Sequence, residues 1–340
     1  MRIIEEKLDI EIYRSRMLDF YFGGRNIVSF DIETTGLYPG EGKIMLAGLL
    51  RLTDGDNTAV QVFCDSLAEE SELIEFIHGY LRPDDILLTY NGRSFDVPFV
   101  DKRAGQLGIS HQFPGGLATY YDLDLYPIVR YYSPLSEVLE SLSQKSIENY
   151  LGHSGNRRDL INGYESILLY DRYLTEREES LVPPILLHNR DDIVQLAGLL
   201  PVTAKCDLPA AFARYGFPAY LADVKALKIK KDGLHVKAVS RAAINNYVSF
   251  PSESRPWHLI ADDRGNIELF FPSECVTAGV NVIDIDRILK YFADDNETKL
   301  PRYPGIESGY LILNKEGPKY HQAVCWFVKE FLRIIVSQLA

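Results

Sequence analysis

Three apolar runs, at residues 26–31, 44–51 and 58–64, follow one another before the helical period that begins at Leu73. Short apolar segments bounded by turn formers read as strands, and only Thr53-Asp54-Gly55-Asp56-Asn57 separates the second from the third. Three strands in such close succession predict an antiparallel meander. A helical period follows in Leu73, Ile74, Ile77 and Leu81, and Ile86-Leu87-Leu88-Thr89-Tyr90 is short enough for a fully buried strand. A helix from Ser94 to Leu107, a short strand near Tyr120 to Leu123 and mostly helical patterns from 125 to 200 complete this part. The order predicts an α/β domain over residues 1–200, a mixed sheet flanked by helices. After Pro201 the character changes, with a hairpin expected from Trp257 to Phe271 and a long helix from Tyr320 to Leu339. A second, smaller α+β domain over 201–340 is therefore expected, with the boundary between 200 and 220.

Hydrophobic residues make up 46% of the 340 and charged residues 25%, the profile of a globular chain. No apolar run reaches the roughly 18 residues needed to cross a bilayer, and Met1-Arg2-Ile3-Ile4-Glu5-Glu6 turns acidic too early for a secretory signal. Cys64, Cys206, Cys275 and Cys325 form no C-x-x-C pair, so neither a zinc ribbon nor a disulfide framework is expected. A cytoplasmic protein without a membrane partner fits this reading. The net charge of -12 argues against a polyanionic ligand until its distribution is considered. Residues 1–200 carry 18 basic and 32 acidic side chains, whereas residues 201–340 carry 18 and 16. Bound cations offset clustered carboxylates, so formal charge understates the affinity of such a site for an anion.

Three groups of residues bear chemistry. In the first strand Val28, Phe30 and Ile32 alternate with Ser29, Asp31 and Glu33, so the two acids share a face. Two carboxylates there repel each other unless a cation lies between them, and hard divalent ions prefer oxygen ligands. Asp96 follows Tyr90-Asn91-Gly92-Arg93-Ser94-Phe95, where a strand turns into a helix. His188 and Asp192 are four residues apart within a helix that opens at Pro183-Pro184, and they therefore lie on one face. Each group also has an ordinary reading: a solvated strand end, a helix cap and a surface ion pair.

Taken together and in this order, the three groups resemble the motifs of the DEDD (DnaQ-like) exonuclease superfamily, whose fold is ribonuclease H-like. The motifs stand here as Phe30 to Leu37, Asn91 to Asp96 and His188 to Asp192. The resemblance extends to the YprB-type branch through Asp124-Leu125, Arg130, Ile147-Glu148, Leu151-Gly152, Arg158-Asp159, Gly163 and Tyr170, and covers residues 24–200. It implies a quartet of Asp31, Glu33, Asp96 and Asp192 that binds two divalent cations, Mg2+ or Mn2+, for phosphodiester hydrolysis, with Asp31 bridging. The third motif is usually Y-x-x-x-D or H-x-x-x-x-D, whereas this chain has histidine at the tyrosine spacing. His188 is then expected to orient or deprotonate the attacking water.

By the same resemblance Thr34, Thr35, Leu37 and Asn91 contact the terminal nucleotide, and Phe95 offers a stacking surface. The expected function is 3'-5' exonuclease action on single-stranded DNA or RNA. Two rivals stay open: a ribonuclease H-like module that binds nucleic acid or protein without cleaving, and a phosphodiesterase of small nucleotides. In residues 201–340, Lys225, Lys228, Lys230, Lys231, Lys237 and Arg241 form a basic cluster, with Tyr247, Phe250 and Trp257 beyond it. That composition suits a single strand, or else is a solvated face beside core aromatics. His78, His111, His153 and His235 are expected to be structural or surface residues.

Overall fold

All nine residues of the strand Ile44–Leu52 are buried, because strands lie on both of its edges and helices cover both faces of its sheet. The computed structural model describes the chain apart from residues 54–56, 111–114, 154–156, 254, 292–305 and 308. The Asp54-Gly55-Asp56 turn and His111 lie outside the described residues. Two compact units emerge, Met1–Cys206 and Asp207–Ala340.

The first unit runs β1 (Arg2–Leu8), α1 (Arg16–Phe22), β2 (Ile27–Thr34), β3 (Ile44–Leu52), β4 (Asn57–Phe63), α2 (Glu70–Tyr80), β5 (Ile86–Thr89), α3 (Asp96–Leu107) and β6 (Tyr121–Asp124). Helices α4 (Leu125–Tyr132), α5 (Leu135–Val138), α6 (Gln144–Tyr150), α7 (Gly163–Glu176) and α8 (Val182–Gly198) follow. Among the described residues the strands form one six-stranded sheet in the order β1-β4-β3-β2-β5-β6. The meander β2-β3-β4 is antiparallel, while β5 runs parallel to β2 and β6 parallel to β5. This is the mixed, helix-flanked α/β fold that the order of apolar runs predicts. Strand β1 was not legible in advance: it is an edge strand paired with β4, with Ile3, Glu5 and Lys7 exposed on one face and no residue of it fully buried.

The alternation in β2 sorts its two faces. Val28, Phe30 and Ile32 enter a core with Leu73, Ile74 and Ile77 of α2 and Phe99 and Val100 of α3. Helices α7 and α8 cover the opposite face, where Tyr170, Tyr173 and Ile185 pack on Met45, Leu46 and Phe63. Ser29 lies on that second face, its hydroxyl donating to the Ile193 carbonyl of α8 at 2.7 Å. Asp31 and Glu33, at the same parity, are therefore directed toward α8 as well.

Helix α8 approaches the sheet closely because Gly48 has no side chain. Gly48 pairs with Asp31 on one side and Gln61 on the other, and a Cβ there would lie 2.3 Å from Asn189 Oδ1 and 2.9 Å from Ile193 Cγ2. The parallel pairing of β5 with β2 then brings the end of β5, and the start of α3 after it, to the end of the sheet where Asp31 and Glu33 sit.

The second unit comprises α9 (Leu208–Tyr215), β7 (Phe217–Ala219), β8 (Ala222–Ile229), β9 (Gly233–Ser240), β10 (Tyr247–Ser249), β11 (His258–Ala261) and β12 (Asn266–Pro272). These are followed by β13 (Glu274–Thr277), β14 (Val280–Asp284), α10 (Ile285–Tyr291), β15 (Ile306–Glu307), β16 (Tyr310–Lys315) and α11 (His321–Leu339). Strands β7 to β12 form an antiparallel sheet in the order β10-β11-β12-β9-β8-β7, and β13 to β16 form a smaller sheet of four. The hairpin expected from Trp257 to Phe271 is β11 and β12, and the expected long helix is α11. Phe327 and Phe331 of α11 pack edge-on against Phe271, and Phe331 also against Trp257. The small sheet escapes the sequence because β13 is exposed along its whole length. Among the described residues no helix is long and apolar enough to cross a membrane.

The Gly48 contact sets a stability test. Overpacking by one methyl costs about 1–3 kcal/mol, so Gly48→Ala should lower the urea midpoint accordingly and leave the secondary structure unchanged. A Gly48→Ala protein as stable as the parent would contradict the close approach of α8.

Candidate active site

Four carboxylates reach this end of the sheet from three elements. Asp31 and Glu33 stand on β2, Asp96 is the first residue of α3, and Asp192 lies in the third turn of α8. The turn that delivers Asp96 is tightly specified. Asn91 has a positive φ of 70°, and a Cβ on Gly92 would lie 2.4 Å from the Thr89 side chain. Asp124, at the end of β6, accepts the N–H groups of Asn91 at 2.7 Å and Arg93 at 3.2 Å and so ties the turn to the neighbouring strand. Asp96 Oδ1 in turn accepts the Ile32 N–H at 3.1 Å, which links α3 to the strand between the two β2 acids.

The electrostatics of this group follow from its burial. Desolvation, and then the charges of Asp96, Asp192 and Glu33, push the Asp31 carboxyl well above the ordinary range. Desolvation together with Asp192 and Asp96 raises Glu33 to about 8. Asp96 rises to about 7, again chiefly through desolvation, and Asp192 is raised by the same cause. Asp122, just behind, is raised to about 8 by desolvation and by Asp124. Carboxylates held out of water beside one another favour either a proton or a cation in their midst.

His188 stands among them. Its Nδ1 lies 2.7 Å from Asp159 Oδ2, while Nε2 lies 3.5 Å from both Glu33 Oε1 and Asp192 Oδ2. Ligand atoms of Glu33, His188 and Asp192 all fall within 4.8 Å of one another, close enough to share an ion. With Asp159 accepting from Nδ1, the ring presents Nε2 to the acids.

A second layer holds these groups in place. Arg157 donates to Glu148 at 2.8 and 2.9 Å and to Asp192 Oδ1 at 2.5 Å, and its Nη1 lies 3.2 Å from Asp159 Oδ1. Although burial raises the Asp159 carboxyl, its bond to His188 and the Arg157 charge bring it below its usual value. Asp191 Oδ2 accepts the N–H groups of Arg158 and Asp159 at 2.6 and 2.9 Å. Thus Asp191, three residues from His188, pins the segment that carries Arg157 and Asp159, while Asp192 joins the acids. Asn189 accepts from Gln61 at 2.9 Å and donates to Asp31 Oδ2 at 2.9 Å, directly above Gly48.

The residues expected to contact a nucleotide are less uniform. Leu37 is 72% exposed, and its neighbour Tyr38, 73% exposed, was not anticipated. The Thr34 hydroxyl donates to the Gly36 carbonyl at 2.8 Å and Thr35 Oγ1 accepts the Lys43 N–H at 3.0 Å, so both side chains shape this loop. Asn91 is exposed, whereas Phe95 is half-buried against the core, 5.4 Å from the ring of Phe99. Gln61, Asn189 and Arg157 were missed by sequence reasoning, since each acts through partners from 9 to 158 residues away.

Residues 28–203 match the sequence profile of the RNase H superfamily. No curated protein matches the chain. Among solved structures, the family B DNA polymerase of the hyperthermophilic archaeon Pyrobaculum calidifontis is 18% identical at a TM-score of 0.41, with 54% of this chain and 25% of the polymerase covered. An exonuclease I structure is 12% identical at a TM-score of 0.38, covering 70% of this chain and 55% of the enzyme. Escherichia coli exonuclease I in complex with a dT13 oligonucleotide is 12% identical at a TM-score of 0.36, covering 64% and 55%. The chain thus spans a quarter of the polymerase and just over half of exonuclease I.

The raised carboxyls predict a pH dependence. In the folded state these acids hold protons that the unfolded chain has already released, so stability is lost as pH rises from about 4 through about 8, the value for Glu33. In chelator the melting temperature should fall across that window. Added Mn2+ should raise it more at pH 8 than at pH 5, and Asp31→Asn should flatten both trends. A melting temperature independent of pH and of Mn2+ would contradict the shared-cation geometry.

Proposed function

This chain belongs to the RNase H superfamily, and from that premise we propose that it is a DEDD-type exonuclease of the YprB-type branch, hydrolysing the phosphodiester bonds of single-stranded nucleic acid from the 3'-end. The observation that carries this reading is the gathering of Asp31, Glu33, Asp96 and Asp192, all raised by desolvation, around His188. An all-oxygen donor set of this kind suits Mg2+ or Mn2+. Asp31, Glu33, Asp96 and Asp192 would hold two such ions. When bound, such ions lower the pKa of water, neutralise nonbridging phosphate oxygens and stabilise the leaving oxygen.

The chain's own groups divide the remaining work. His188 Nε2, facing Glu33 and Asp192, accepts the proton of the attacking water. Asp159 holds the ring by its Nδ1 and stabilises the imidazolium once that proton has moved. Arg157 keeps Asp192 oriented and offsets part of the charge of the quartet. Leu37 and Tyr38, exposed in the loop after β2, would form the wedge against which a terminal nucleotide rests. A second reading, binding without cleavage, draws on one observation: Arg157 already neutralises Asp192.

An end-labelled single strand incubated with Mg2+ or Mn2+ separates the two. Loss of a group that merely orients a metal ligand costs about 10–100-fold. Removing a ligand itself, in Asp31→Asn, Asp96→Asn or Asp192→Asn, should therefore lower turnover by more than about 100-fold with the fold intact. Wild-type turnover in any of the three would refute the quartet, and no hydrolysis by the parent protein would favour the binding reading. A circular single strand cut as readily as a linear one would exclude exonuclease action.

His188→Ala should lower kcat by about 10²–10⁴-fold, the range for a general base, with KM little changed. His188→Tyr, which restores the commoner residue at this spacing, should retain part of the activity. A His188→Ala enzyme equal to the parent across a pH profile would assign the ring to structure.

A further inference from the structure

The larger sheet of the second unit is covered on one face by α11, and the described residues leave its other face open. Along β12 the alternation is strict: Ile267, Leu269 and Phe271 are buried, while Glu268 and Phe270 face outward. The outward face carries a line of rings. Phe270 stands opposite His258 on one side and His235 on the other, with the His235 and Phe270 centroids 4.6 Å apart. Phe250 continues the line, stacked on His258 at 5.2 Å and 16°, and is itself 72% exposed. Three rings thus lie across β11, β12 and β9, and Phe250, just after β10, extends the line; no element among the described residues covers it, although His258 Nε2 is buried among its neighbours.

Lysines run beside and beyond this line. Lys228 is the register partner of His235, and exposed Lys230 follows on the same side of β8. In the adjacent row Lys237, 68% exposed, is opposite Glu268 and bonds it at 2.6 Å. Lys225 and Lys237 line a shallow open cavity of about 440 Å³ on this face, together with Ile260, Asn266 and the acids Asp262 and Glu268. Asp232 also lies 3.0 Å from His235 Nε2, so the four lysines outnumber the acids of this face by one, in a chain whose net charge is -12. The aromatics anticipated beside the lysines are in part different ones: Trp257 is buried under α11, whereas Phe250 is on the face and Phe270, His258 and His235 join it.

We infer that this open sheet face binds a single-stranded nucleic acid, with its bases stacked on Phe250, His258, Phe270 and His235 and its phosphates beside Lys225, Lys228 and Lys230. A strand with unpaired bases supplies both a π-face for each ring and a negative charge for each lysine. A duplex hides the first, and a membrane surface offers no flat partner for rings set among half-buried neighbours. The inference is independent of hydrolysis and of the carboxylate quartet.

The test is fluorescence anisotropy of a labelled oligodeoxythymidine of about twelve nucleotides, within the range of known single-strand site sizes, with the full chain in EDTA so that no cleavage intervenes. Base stacking on one ring is worth about fivefold or more in affinity, so Phe250→Ala and Phe270→Ala should each weaken binding by at least that factor. Lys228→Ala with Lys230→Ala should flatten the dependence of log affinity on log salt by about 0.7 per lost contact. A duplex of equal length should bind more weakly. Phe250→Ala, at an exposed site, keeps the test valid if Phe270→Ala unfolds by circular dichroism. Unchanged affinity in Phe250→Ala, equal binding of duplex, or no binding by the parent would each overturn the inference. None of these results depends on whether the protein hydrolyses nucleic acid.

Discussion

The mutual repulsion of carboxylates withdrawn from water is the constraint around which the first unit is arranged. Asp31, Glu33, Asp96 and Asp192 are each raised by desolvation before any neighbour is considered, and Asp96, Asp192 and Glu33 then raise Asp31 further. A fold tolerates such a group only if surrounding donors offset part of the cost. The Ile32 N–H bonds Asp96, the Asn189 amide bonds Asp31, and the Arg157 guanidinium bonds Asp192. Arg157 is itself held by Glu148 through two bonds, so the cation is aimed by a carboxylate outside the quartet.

Helix α8 organises this support because its successive residues point to different tasks. His188 and Asp192, four apart, meet Glu33; Asn189 reaches across Gly48 to Gln61 and Asp31; Asp191 anchors the segment bearing Arg157 and Asp159. The arrangement depends on the helix lying close to the sheet, and that closeness depends on a glycine at the register position between Asp31 and Gln61. A helix displaced outward by one methyl group would separate Asn189 from Asp31 and shift His188 and Asp192 with it. Packing on one face of the sheet and the geometry of the acids at its end are thus a single problem.

The second unit solves a different one. Its sheet buries one face against the aromatic side chains of α11 and leaves the other to rings and lysines. An exposed antiparallel face normally carries scattered polar groups. Here the register lines up His258, Phe270 and His235 across neighbouring strands, which needs the same side-chain parity in each of them.

Much of the first unit could be read from local pattern alone. The meander, the strand Ile86–Thr89, the helix carrying Asp96 and the helix from Val182 are each marked by periodicity and turn residues, and these are short-range signals. Alternation in β2 was enough to place Asp31 and Glu33 on one face, and helical spacing enough to pair His188 with Asp192. What only the tertiary structure decided are contacts between residues distant in the chain: the Arg157 bridge from Glu148 to Asp192, the Asn189 link from Gln61 to Asp31, and the edge position of β1. The same holds for Trp257 and Phe270, one buried and one outward, since a ring has no preference for either until the register of its strand against its neighbours is set. Local sequence specifies which face a residue takes, because that follows from backbone geometry. Which partner it meets there depends on how strands and helices close on one another, and that is a property of the packed chain.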